Sequence, residues 1–360
     1  MSAWASALAD RPRLQGADDR AAQLARILGV PAPRPGPVHR IPSRTVGDVR
    51  LERLSWETGI GPTTGAWLAR PLEASGDIPG VLALHSHGGA MWTGADQFVA
   101  PGLDDGDPYA AAHGRLQYGG APVLELARRG YAVLAHDAFA WGTRRIPADA
   151  LSERERELAS ALGRLRLSEG RPWSEIDEYN TASALHEEVL EKTASLLGSS
   201  FAGVVASDDL LALEQLSRIP GVDPGRLGAF GFSGGGGRAL FLGVLDARVR
   251  ATVTVAMMTT WRSMADAHAR FHSWLINVPG LAREIDLPDL PRLDAEHALL
   301  VQYREHDELF PLHGMREAHE RLRSRDSTSS YEGSFFPGPH AFDPEMQAEA
   351  WGFLDRRLGR

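Results

Sequence analysis

Cysteine is absent from all 360 residues. That absence excludes disulfides, thiolate zinc sites and a cysteine nucleophile together. No window of about 18 continuous apolar residues occurs, so no membrane span is expected. Residues 1–20 lack a basic stretch followed by an apolar one, so no secretory signal is expected either, and a cytoplasmic location is the default. Excess basic charge is also missing. The 38 Lys and Arg stand against 47 Asp and Glu, a formal net charge of −9. Nucleic acid and anionic membrane are therefore poor partners. The hydrophobic share of 43% and charged share of 24% are those of an ordinary folded chain with a substantial core.

The chain opens with helical spacing over residues 1–30, closed by Gly29, and a stiff proline-rich stretch at 31–37. Residues 1–47 read as a helical extension and linker, packing in cis or across a dimer. A main domain is expected over 48–360. Strands are expected at 49–56, 64–68, 81–85, 131–135, 226–230, 251–256, 298–303 and 331–336, and helices at 123–129, 150–168, 180–217, 239–245, 312–322 and 344–358. Strands alternating with helices imply a mostly parallel α/β sheet covered on both faces. Residues 140–200 interrupt that alternation with helices alone, as a helical insert or cap, or as ordinary crossover structure.

Between an expected strand and an expected helix lies Gly231-Phe232-Ser233-Gly234-Gly235, which fits G-x-S-x-G. A nucleophile at such a sharp turn needs small neighbours, and the helix start behind it presents free N–H groups and a positive dipole end. The overlapping pattern Gly234-x-Gly236-x-x-Ala239 suits a dinucleotide loop, but no acid follows at the required distance and no Gly-Lys-Ser/Thr is present.

A serine needs a base and the base an orienting acid. His340, between the last strand and last helix, is the expected base; His313 and His319 fall on a helix. Asp307, after strand 298–303, is the expected acid. Glu305 and Glu308 could do the same chemistry, and His306 reads as an exposed loop residue. Two donors should hold the oxyanion: the Gly234 N–H, and Gly89 (or Ala90) in the loop His85-Ser86-His87-Gly88-Gly89. His85-x-His87 also touches the H-x-H-x-D-H metal pattern, but glycines stand where Asp-His is needed; His136 and Asp137 read as supports rather than ligands. Trp92, Phe139, Trp141, Met257, Met258 and Trp274 are candidates for an acyl or alcohol pocket, and Arg144 for a structural ion pair or an anion contact.

Three segments, LHSHGG at 84–89, DAFAWGTR at 137–144 and VDPGRLGAFGFSGG at 222–235, together with the Asp307 and His340 loops, resemble the α/β-hydrolase superfamily, in its dienelactone-hydrolase and acetyl-xylan-esterase-like branch. The resemblance covers about residues 80–345. It implies the α/β-hydrolase fold, no cofactor and no metal, and hydrolysis of a small-molecule carboxylic ester through an acyl-enzyme. Dienelactone hydrolases use a cysteine nucleophile, so the missing cysteine points away from that substrate. The competing readings are a serine peptidase of prolyl-oligopeptidase type, a non-hydrolytic lyase or cyclase on the same fold, and a non-catalytic binding protein.

Overall fold

Elements form where period and punctuation agree. The computed structural model describes residues 2–74, 76–265 and 267–359. Met1, Ser75, Asp266 and Arg360, which fall in the expected extension and main domain, lie outside the described residues. In chain order come α1 (Ala3–Ala9), α2 (Asp19–Leu28), β1 (His39–Arg40), β2 (Arg44–Val46), β3 (Val49–Trp56), β4 (Thr64–Pro71), β5 (Ile78–Leu84), α3 (Pro108–Tyr118), α4 (Pro122–Arg128) and β6 (Ala132–His136). Then follow α5 (Glu153–Ser168), α6 (Glu175–Leu196), α7 (Phe201–Ser217), β7 (Val222–Phe232), α8 (Gly234–Leu245), β8 (Val249–Val255), α9 (Trp261–Met264) and α10 (Leu281–Glu284). The chain closes with β9 (Ala298–Arg304), α11 (Leu312–Arg325), β10 (Tyr331–Phe336) and α12 (Pro344–Leu358).

Side-chain caps start many of these helices. Asp18, Asp107, Ser152, Ser174, Ser200 and Asp343 each accept a backbone N–H of the turn that follows. Ser152 with Glu155 and Ser174 with Asp177 are reciprocal capping boxes. The first 30 residues form two helices where the periodicity suggested one, because residues 10–18, with Pro12 and Gly16, part them. Both pack in cis: Leu8, Leu24 and Leu28 join the main core, and the Ser199 and Ser200 hydroxyls donate to Gly29 O and Leu28 O at 2.8 Å each.

Among the described residues the sheet has ten strands, in the order β1-β3-β4-β6-β5-β7-β8-β9-β10 with β2 paired to β3. Pairings from β6 through β10 are parallel, whereas β3, β4 and β6 meet antiparallel. Central strands are buried on both faces. In β9, Leu299, Val301 and Tyr303 enter the core under α7 and α8, while Ala298 and Leu300 enter the core under α12. Ala83, Phe230, Val253 and Leu300 pair in one row across β5, β7, β8 and β9. That register brings the carboxyl ends of four strands to a common edge, where ligands bind in open α/β sheets. Residues 153–196 form the antiparallel hairpin α5–α6. No single helix among the described residues is long and apolar enough to cross a membrane.

The close approach of α8 to β5 and β7 depends on glycine. A Cβ on Gly235 would lie 2.0 Å from Leu84 O, and one on Gly231 would lie 2.0 Å from Gly235 O. Gly235→Ala should therefore destabilise the fold by about 2–4 kcal/mol, because only backbone stands in the way. Urea denaturation checks this, and wild-type stability in the variant would refute the packing argument.

Candidate active site

Ser233 sits between β7 and α8 with φ 57° and ψ −126°. A non-glycine residue pays strain in that region. The surroundings hold it there: Ser233 N–H donates to Val255 O at 2.9 Å, and Ser233 O accepts from Gly236 N at 2.8 Å and Gly237 N at 3.2 Å.

Arg304, at the end of β9, brings the loops after β9 and β10 together. Its guanidinium donates to Ala341 O at 3.1 Å and Pro337 O at 2.6 Å and pairs with Asp343, so the 337–343 loop is stapled beside the 305–309 loop. Across that staple, His340 Nδ1 bonds Asp307 Oδ2 at 2.6 Å, and Asp307 Oδ1 accepts from Leu309 N at 2.9 Å. The Asp307 side chain is fully buried. Glu308 and His306 point to solvent, and Glu305 makes no bond to His340. His340 Nε2 is buried without a partner, and its ring lies 4.6 Å from that of Phe232. His313 is exposed, and His319 is spent on Tyr331 at 2.8 Å.

Ser233, Gly234 and His340 line one pocket of about 280 Å³. Its other walls are His87, Gly88 and Gly89 after β5, Gln117 on α3, Met257 after β8, the 271–276 segment, and Leu309 with Phe310. Of the aromatic and methionine candidates, only Met257 lines it. Phe139 is buried between Trp4 and Phe201, and Met258 is buried in the core. Trp92 packs on Tyr179 and under Arg145. Trp141 is buried behind His87, donating its indole N–H to His87 O at 3.2 Å. Trp274 turns away, its neighbours Ser273 and Leu275 facing in. Phe139, Trp141 and Met258 thus belong to the core, the reading that suits most such residues taken singly, and Trp92 and Trp274 pack partly buried against it. No residue of 140–200 lines the pocket either.

The loop after β5 also differs from expectation. Gly89 N–H is turned onto its neighbour, donating to His87 Nδ1 at 3.1 Å, and Ala90 N–H donates to His87 O at 3.2 Å. The His87 backbone nitrogen and Cβ, with Leu275 Cδ1, each stand 3.1 Å from where a Cβ on Gly234 would lie, so His87 is the residue of this loop that meets the serine turn.

Beneath the loop lies a buried polar layer. Arg238 on α8 grips Asp209 on α7 at 2.6 and 3.1 Å and donates to His85 O at 3.1 Å. Burial pushes the Asp209 carboxyl up, but Arg238 and His136 outweigh it and hold it at about 2. Burial, reinforced by Arg238, keeps His85 neutral, well below its ordinary range. His136 bonds Asp209 at 2.9 Å. Asp137 accepts from Ala95 N at 2.7 Å and from the Thr143 hydroxyl at 2.7 Å. Arg144 is fully buried against Asp208 at 2.7 Å, Thr58 and Ile60 O at 2.8 Å each, and lies outside the pocket. Its role is the structural ion pair.

A glucuronoyl esterase from Solibacter usitatus superposes with a TM-score of 0.62 at 15% identity, over 95% of this chain and 93% of that one. Acetyl Xylan Esterase 1 from Thermoanaerobacterium sp. JW/SL YS485 gives 0.57 at 15% identity, over 99% and 98%. The chain has the α/β-hydrolase fold. By sequence it is 26% identical over 319 residues to "Putative hydrolase YtaP" of Bacillus subtilis (strain 168), covering 84% of this chain and 86% of that protein. No family model matches. On this α/β-hydrolase frame, the lining that sequence reasoning did not name is the 271–276 wall apart from Trp274, Gln117, Leu309 and Phe310, with Glu187 behind the loop. The long connection 256–297 between β8 and β9 was the available signal, since long irregular connections are commonly functional.

His113 on α3 offers a pH test. Burial lowers its pKa to about 4, and its Nε2 is buried without a partner, 2.7 Å from where a Cβ on Gly88 would stand. The folded state therefore prefers the neutral ring. Stability that is complete above the ordinary value of 6.5 should be lost as pH falls from 6.5 towards 4. Melting temperatures across that window should drop more steeply in wild type than in His113→Phe; parallel curves would contradict the assignment.

Proposed function

We propose that the protein is a serine carboxylic ester hydrolase in which Ser233, His340 and Asp307 act as a catalytic triad. One observation carries the reading. His340 bonds Asp307 through Nδ1 and leaves a buried, unpartnered Nε2 in the pocket that Ser233 lines. A base so oriented can take the serine proton and nothing else nearby competes for it. The left-handed Ser233 at the head of α8 favours nucleophilic attack beside free backbone N–H groups.

In the proposed reaction Ser233 Oγ attacks the ester carbonyl as its proton passes to His340 Nε2. Asp307 stabilises the imidazolium that forms. The Gly234 and His87 N–H groups donate to the oxyanion, His87 taking the place first given to Gly89. His340 then protonates the departing alcohol, and the acyl-enzyme is hydrolysed by water that His340 deprotonates. The similar solved structures named above are esterases, which supports the ester class. No Arg, Lys, Asp or Glu lines the pocket among the described residues, which fits an uncharged, short-acyl substrate.

Hydrolysis of p-nitrophenyl acetate through octanoate tests the reading. Wild type should prefer the short esters and cleave the matching anilides far more slowly. Ser233→Ala should lose about 10³-fold or more in kcat, and Asp307→Asn about 10²–10⁴-fold. An active Ser233→Ala enzyme would exclude the triad, and faster anilide than ester cleavage would favour a peptidase.

A further inference from the structure

His87 of the pocket wall makes a second histidine–carboxylate pair with Glu187 behind it, assembled unlike the first. His87 Nε2 bonds Glu187 Oε2 at 2.7 Å, and His87 Nδ1 accepts the Gly89 N–H at 3.1 Å. A ring that accepts at Nδ1 and meets a carboxylate at Nε2 carries its proton on Nε2. Both nitrogens are occupied, so this ring has no free position from which to exchange a proton with substrate. It is built to hold something still.

Glu187 comes from the middle of α6, in the helical hairpin, and is 4% exposed. Its other oxygen accepts the Trp274 N–H at 2.7 Å. One buried carboxylate thus joins three segments: the hairpin, the loop after β5, and the 271–276 wall. The His87 peptide is fixed from a further side, by the Trp141 indole on its carbonyl. What these contacts immobilise is the His87 N–H beside Gly234. Preorganised donors of this kind contribute only when they are already aimed, since reorienting them during reaction forfeits the gain.

We infer that Glu187 is a positioning residue: through the His87 ring and Trp274 it seats the His87 N–H beside Ser233 and couples the seating of the α5–α6 hairpin to catalysis. This rests on the esterase reading above. Two independent donors converge on the carboxylate, so its isostere cannot replace it. Glutamine offers one acceptor oxygen and an NH₂, which must face either the His87 Nε2–H or the Trp274 N–H, donor against donor.

Glu187→Gln should lower kcat on p-nitrophenyl acetate by about 10–100-fold with KM within about twofold, since the interaction it disturbs is made in the transition state. Glu188→Gln, an exposed neighbour paired with Lys192, should behave as wild type. In a double-mutant cycle with His87→Ala, Glu187→Gln should cost clearly less than it does alone, because the His87 route is already lost and only the Trp274 contact remains. Equal kcat in Glu187→Gln and wild type, or full additivity in the cycle, overturns the inference. Should Glu187→Gln fold poorly, His87→Ala alone carries the same expected split, and an effect confined to KM overturns it. Nitrogen-15 histidine NMR separates this inference from the functional reading. In wild type the His87 ring should be the Nε2–H tautomer whether or not esters are cleaved, and an Nδ1–H ring overturns the clamp even in an active enzyme.

Discussion

Ser233 stands in a backbone conformation that side chains avoid, at a cost of roughly 1–3 kcal/mol, and the centre of the molecule is arranged so that it can stay there. Gly231 and Gly235 have no Cβ because β7, α8 and the end of β5 meet at backbone distance. Arg238, one turn into α8, then anchors the helix to Asp209 and to His85 O. The helix that presents the serine and the loop that faces it are therefore joined by a buried, charge-assisted bond. Removing one partner would leave an uncompensated charge in the interior.

Around that turn the two histidine–carboxylate pairs have different work because their nitrogens are differently employed. His340 has one occupied and one free nitrogen, the arrangement of a proton acceptor. His87 has two occupied nitrogens, the arrangement of a brace. Arg304 and Glu187 play matching parts one step back: each holds a loop by several bonds so that a neighbouring group is aimed into the pocket.

Much of this was legible in the residues. Apolar runs such as 81–85 and 298–303 marked parallel strands because burial on both faces leaves little polar choice. G-x-S-x-G located the turn, since its glycines answer a steric demand that is local in sequence. Asp307 and His340 followed from chain order and their positions just past strand ends. What escaped was determined by packing between distant segments. Glu187 looks like any helix glutamate until α6 is laid against the loop after β5. Trp141 and Phe139 are as apolar as pocket residues but face the core, and periodicity does not say which side of a loop is inside. Gly89 seemed the natural oxyanion donor for its small size, yet its N–H is spent on His87 Nδ1. The helix over 108–118 went unread because Ala-rich, weakly patterned segments carry little amphipathic signal.

The central claim is that Ser233 is activated by His340. Its most direct measurement is covalent labelling by a fluorophosphonate, read by peptide mass spectrometry on wild type and His340→Ala. The account predicts a single adduct on the Ser233 peptide in wild type and slow or absent labelling in His340→Ala. An unlabelled wild type, or an adduct on another serine, would contradict it.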